Sequence, residues 1–212
     1  MKEYYGKRFF ETYAELLDPR RTAFIVVDLQ NDMVHPEGVF GPNPIERIVP
    51  SAAQLVDEAH SRGVLVTWLR NTVLPGGRSD SPAWLSYRSR HGVTLDYTVK
   101  GTWGHALLDG LAPGPDDVLV DKHRSSGFVG TDLDTILRSN GIETVVVCGC
   151  MTEGCVESTV RHAAFLDYYP VVVEDVVASN TPALHDASLT VMRSQFRVLS
   201  ASEIVASWPR SS

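Results

Sequence analysis

Six short runs of β-branched and aliphatic residues, separated by segments with helical punctuation, constrain this chain more than any other feature of it. They are TAFIVVDL (Thr22 to Leu29), VLVTWL (Val64 to Leu69), DVLVDK (Asp117 to Lys122), TVVVCGC (Thr144 to Cys150), PVVVED (Pro170 to Asp175) and FRVLS (Phe196 to Ser200). Strands with no polar alternation are buried on both faces. Helices between them supply that cover, so the pattern predicts an α/β fold: a three-layer α/β/α sandwich around a mainly parallel sheet of roughly six strands. Asn43-Pro44 reads as a helix start, with Asn as cap and Pro in the first turn; that helix should run to about His60, with a disturbance at Pro50. Thr131 is expected to cap a helix that stops at Gly141, and Thr181-Pro182 to start one ending near Gln195. Val156, Val160 and Ala163 or Ala164 form an apolar stripe on a further helix.

The 212 residues are read as one domain, with an N-terminal arm at 1–20 and a Gly-, Pro-, Ser- and Arg-rich segment at 71–104 that reads as a lid or substrate loop. A net charge of −7 argues against nucleic acid or an anionic membrane as partner. No apolar run approaches the roughly 20 residues that span a bilayer, and the charged first residues lack a signal-peptide pattern. Three cysteines, two of them nearly adjacent, fit a reducing compartment better than a disulfide framework, so a cytoplasmic location is expected.

In an open parallel sheet, ligands bind beyond the carboxyl ends of the strands. Asp28 ends the first run, Lys122 ends the third, and Cys155 follows the fourth at the start of a helix. Taken singly, a cysteine is more often a small core residue, and a strand-end Asp or Lys more often half of a surface ion pair. Topology brings all of them to one edge, which makes them candidates for a nucleophile, its base and a cationic neighbour. A helix N-terminus and a nearby ammonium are expected to favour thiolate at Cys155. Cys148, Cys150 and Cys155 lack a fourth ligand at zinc spacing, so no metal is expected there, and Cys148 reads as core. The zincin, nucleophile-elbow, phosphate-loop and dinucleotide signatures are missing, and no cofactor is expected.

Three segments in order carry a family resemblance: D-x-Q-N-D on the first strand (Asp28 to Asp32), DKHRSSGFVGTDLDTILRSNGIETVVVCG, and GCMTEGCVESTVRHAAFLDYY. The last matches the nucleophile-loop pattern G-x-x-T-x-x-C-V-x-x-T from Gly149 to Thr159. The chain resembles the isochorismatase-like cysteine hydrolases over about Thr22 to Ser200. The resemblance assigns the catalytic aspartate, lysine and cysteine to Asp28, Lys122 and Cys155. It places a non-proline cis peptide at Cys150–Met151 and an oxyanion hole at the backbone N–H groups of Met151 and Cys155. It implies a cysteine-dependent amidohydrolase that acts through a thioester on a small amide, carbamoyl or ureido compound. The alternatives are a vinyl-ether hydrolase of the isochorismatase type and a non-catalytic binding protein of the same fold.

Family members of the nicotinamidase type hold a metal through an Asp and histidines after the second strand; TWLRNTVLPGG has neither. Thr152-Glu153-Gly154-Cys155 resembles the N-carbamoylsarcosine amidase branch, and Lys122, Arg124, Ser126 and Phe128 resemble ureidoacrylate and related ureido-hydrolases. Met33, Trp68, Arg70, Asn71 and His123 are the expected substrate contacts, with Trp84, Tyr87 and Trp103 as residues that close the site. The family and the aromatic arm (Tyr4, Tyr5, Phe9, Phe10, Tyr13) suggest a homo-oligomer, a dimer or tetramer.

Overall fold

The runs rich in Val and Ile are strands because β-branched side chains suit a pleated surface covered on both sides. The computed structural model describes residues 1–208. A short antiparallel hairpin, β1 (Lys2–Tyr4) and β2 (Lys7–Phe9), precedes the main sheet and turns through Tyr5 and Gly6, both at positive φ. The main sheet contains β3 (Thr22–Val27), β4 (Leu65–Asn71), β5 (Val118–Lys122), β6 (Thr144–Cys150), β7 (Tyr169–Ala178) and β8 (Arg197–Leu199). All neighbours are parallel, in the order β5-β4-β3-β6-β7-β8. The expected six-stranded α/β sheet is therefore the fold observed.

The chain winds outward from β3 to β4 and β5, then returns to lay β6, β7 and β8 on the other side. The switch point falls between β3 and β6, both wholly buried along their length. Alternation along β3 divides two cores. Phe24 and Val26 pack on one face with Ala52, Leu55 and Ala59 of the helix at Val49–Ser61, and with Ile204 and Trp208. Ala23, Ile25 and Val27 pack on the other with Leu133, Leu137, Val160, Ala163 and Met192.

The helices are α1 (Tyr13–Leu16), α2 (Asn31–Val34), α3 (Val49–Ser61), α4 (Pro82–Arg88), α5 (Leu133–Ser139), α6 (Glu157–Phe165), α7 (Pro182–Gln195) and α8 (Ala201–Ser207). Asn43 accepts from Ile45 N–H at 2.9 Å, but the segment it caps is a 3-10 turn, Pro44–Ile48. Pro50 sits in the first turn of α3, where a missing N–H costs nothing, which is the disturbance expected there. α5 begins later than its sequence suggests. Thr131 does accept from Leu133 N–H at 3.3 Å, but the cap position itself is Asp132.

Two expectations change in form. Residues 71–104 are not a structureless loop: they contain α4, and their turns are fastened down. Arg88 is buried, pairs with Asp80, and donates to Leu95 O at 2.6 Å and to Tyr97 Oη at 3.1 Å. Thr98 N–H donates to the Asp32 carboxylate at 2.6 Å. The arm aromatics also divide, since Phe10 is buried against Tyr169 while Tyr4, Tyr5, Phe9 and Tyr13 stay in solvent. Among the described residues no helix is long and apolar enough to cross a membrane.

Gly149 is the backbone position the switch point depends on. Its φ is +113°, and a Cβ there would lie 2.1 Å from Val27 O. Only a residue without a side chain lets β6 approach β3 so closely. Gly149→Ala is expected to lower stability by about 3 kcal/mol or more, read as a shift in the urea unfolding midpoint.

Candidate active site

Asp28, Lys122 and Cys155 converge at the carboxyl end of the sheet. Asp28 follows β3 in a left-handed conformation (φ +53°), which turns the chain out of the strand. Its N–H donates to Leu69 O at 3.0 Å, and its carbonyl accepts from Gln30 N–H at 2.8 Å and from Cys150 Sγ at 3.3 Å. Those bonds hold an otherwise disfavoured backbone in place. Lys122 is the last residue of β5. Cys155 sits in a π-helical turn, Thr152–Val156, between β6 and α6, just beyond the cis Cys150–Met151 peptide.

The Lys122 ammonium is fully buried, 2.8 Å from Asp28 Oδ2, and it donates to Cys155 Sγ at 3.1 Å and to Arg124 O at 3.3 Å. The Asp28 side chain is equally inaccessible, and no backbone or hydroxyl donor among the described residues reaches its carboxylate. A buried charge this short of backbone donors depends on its counter-ion, with the Cys155 thiol as a further hydrogen-bond partner. Burial by itself would lower the Lys122 pKa, but the Asp28 charge, then Cys155, more than offset it, and the ammonium is held well above its ordinary value.

The thiol behaves differently from its sequence-based expectation. Cys155 is pushed up to about 12, first by burial and then by the Asp28 carboxylate, with Lys122 pulling the other way. Lys122 does favour thiolate, as expected, but desolvation and the neighbouring carboxylate outweigh it. The resting pair is thus a neutral thiol beside an anionic base. Cys148 and Cys150 are fully buried, and burial raises both thiols; as expected, Cys148 is core.

The turn carrying Cys155 is pinned from three sides. Thr159 Oγ1 donates to Cys155 O at 2.7 Å and accepts from Gly127 N–H at 3.0 Å. Thr152 Oγ1 meets His185 Nδ1 at 2.8 Å, and Ser179 Oγ donates to Glu153 Oε1 at 2.8 Å. The thiol opens on a cavity of about 340 Å³.

Of the expected contacts, Met33, Asn71, His123, Met151 and Cys155 line this cavity, as do Trp84 and Tyr87, whose rings stack at 4.6 Å. Trp68 and Arg70 do not. They share the α3 face of β4, where Trp68 is buried and donates to Asp117 Oδ2 at 2.7 Å. Arg70 is taken by its register neighbour Asp121 at 2.7 Å. Trp103 stands against His35 and lines no part of the cavity. Residues the sequence reading missed include Phe40, Tyr97, Glu153 and Asn180. Only Glu153 carried a signal, its place beside the nucleophile in T-E-G-C. Among the described residues no three or more His, Cys, Asp or Glu side chains gather as metal ligands.

The thiol's environment gives a direct test. In wild type the ultraviolet absorbance of the Cys155 thiolate is expected to be missing at neutral pH and to rise only toward pH 12. Asp28→Asn removes a charge that raises the thiol and leaves Lys122, so the midpoint should move to lower pH. An unmoved midpoint would show that the two side chains do not sense each other.

The chain resembles several solved structures along most of its length. A cysteine hydrolase from Pseudomonas syringae pv. phaseolicola is 30% identical, with a TM-score of 0.80 over 89% of this chain and 92% of that one. An N-carbamoylsarcosine amidase from Thermoplasma acidophilum is 30% identical, with a TM-score of 0.71 over 85% and 96%. A pyrazinamidase from Pyrococcus horikoshii, solved with zinc, is 28% identical, with a TM-score of 0.74 over 85% and 99%. The isochorismatase domain profile matches residues 22–204, and with the site geometry beside it this chain belongs to the isochorismatase family of hydrolases.

Proposed function

We propose that this protein is a cysteine-dependent amidohydrolase that cleaves a C–N bond in a small amide, carbamoyl or ureido compound. The observation that carries the reading is the Lys122 ammonium, 2.8 Å from the Asp28 carboxylate and 3.1 Å from the Cys155 thiol at a cavity wall. Similarity to an amidase and a pyrazinamidase supports the C–N chemistry.

In this mechanism Asp28 is the general base. It takes the thiol proton as Sγ attacks the carbonyl carbon, because a thiol raised to about 12 is a poor nucleophile until the proton leaves. The carbonyl oxygen becomes an oxyanion, stabilised by the backbone N–H groups of Met151 and Cys155. Asp28 then gives the proton to the departing ammonia or amine, leaving a thioester. Water, deprotonated by the same carboxylate, hydrolyses the thioester and restores the thiol. Lys122 stays beside Asp28 throughout and holds it in place between the proton transfers. The vinyl-ether alternative has no use for a thiol so placed.

The test is ammonia release from a panel of N-carbamoyl amino acids, ureidoacrylate, biuret, nicotinamide and simple amides. Wild type should release ammonia from at least one, and Cys155→Ala should lose about a thousandfold or more of that activity. Equal release by both proteins would overturn the nucleophile assignment.

A further inference from the structure

We infer that Arg124 is a positioning residue that holds the α4 wall of the cavity, with Trp84 and Tyr87, in place beside the reacting groups; this rests on the amidohydrolase reading for what the cavity takes in. Arg124 stands two residues beyond Lys122, and its carbonyl accepts from the Lys122 ammonium at 3.3 Å. Its guanidinium serves other partners. Nη1 donates to Ser79 O at 3.1 Å and to His123 O at 2.6 Å, and the group lies over the Trp84 ring, 4.8 Å from its centre.

The two ends of α4 are fastened differently. At the C-terminal end Arg88 donates to Leu95 O and Tyr97 Oη, and Tyr97 is buried with its ring 5.0 Å from that of Phe40. Toward the N-terminal end the bonds close on the segment itself. Ser79 Oγ accepts from Leu74 N–H at 3.0 Å and donates to Asp80 Oδ1 at 3.1 Å, and Ser81 Oγ accepts from Trp84 N–H at 3.2 Å. Among the described residues, the bond from Arg124 to Ser79 O is the one hydrogen bond that joins residues 74–92 to any residue outside 71–104.

Trp84 stacks on Tyr87, whose ring meets His91 edge-on at 5.6 Å, and all three line the cavity. Arg124 is not among the lining residues. A guanidinium and a stacked ring cannot share one face, so Trp84 is sandwiched between Arg124 and Tyr87. A planar guanidinium can lie on a ring and donate to a carbonyl at once, which the point charge of a lysine does less well. One residue thus carries the tie to the wall on its side chain and a bond from the Lys122 ammonium on its backbone, so the wall and the reacting groups share a reference.

The test is access to Cys155, read with two reagents of one warhead, iodoacetamide and its fluorescein conjugate, by mass spectrometry of the labelled peptide. The ratio of their rates cancels any change in the reactivity of the thiol itself. Arg124→Ala should raise the relative rate of the bulky reagent about tenfold. Arg124→Lys, which keeps a cation for the ring, should raise it only about threefold. Cys148 and Cys150 are fully buried and report unfolding if they become labelled. Should that happen in Arg124→Ala, Arg124→Met carries the test, since it keeps an apolar stem and loses the charge and the donors. On a compound the wild type hydrolyses, Arg124→Ala should raise KM about tenfold and leave kcat within about twofold, because Asp28 and Cys155 remain beside Lys122. An unchanged rate ratio in a folded variant, or a kcat that falls while KM holds, would overturn the inference. A wild type inert on every panel compound, with the labelling result intact, would sink the hydrolase reading and leave the tie between Arg124 and α4 standing.

Discussion

The buried ion pair between Lys122 and Asp28 is the interaction on which the site depends. Each side chain is wholly inaccessible, so each charge has lost its hydration and has only the other, at 2.8 Å, to replace most of it. Breaking such a pair by removing one partner typically costs about 3–5 kcal/mol, because the survivor is left as an uncompensated charge. A protein gains little stability from an arrangement of this kind. Here it places an anionic base and a cation beside a thiol in a site sheltered from water, where each acts strongly on the others.

The sheet makes that arrangement possible. Asp28 leaves β3 on one side of the switch point and Cys155 leaves β6 on the other, so adjacent strands deliver base and thiol to one crevice. Gly149 permits the close approach of those strands, and Cys150, next to it, donates its thiol hydrogen to the Asp28 carbonyl. Lys122 arrives from β5, two strands away, and its long side chain spans the gap to Asp28. Thr159, Thr152 and Ser179 then fix the nucleophile turn to three neighbouring elements. A reacting group held this way keeps its geometry without help from the substrate.

Much of this was legible in the chain itself. Apolar runs of five to eight residues declared the strands, and Asn43, Thr131 and Thr181 marked helix starts to within a turn. Asp28, Lys122 and Cys155 followed from strand ends and the rule that ligands gather there, with the nucleophile-loop pattern as a second, independent pointer. Trp68 and Arg70 misled because both sit near the correct strand end. Their side chains are claimed by Asp117 and Asp121, acidic residues about fifty positions away, and nothing local announces that pairing.

The sequence alone therefore determined what depends on near neighbours: element type, the mainly parallel character of the sheet, and which chemistry-bearing residues reach its active edge. Local periodicity and short motifs carry that information because they act over one turn or one strand. Tertiary structure decided the rest. It set the protonation of Cys155, where desolvation and Asp28 outweigh Lys122, and it gave Trp68 and Arg70 to Asp117 and Asp121 and so took them from the cavity. Those properties arise from burial and from partners far apart in the chain, and both exist only once the fold has closed around them.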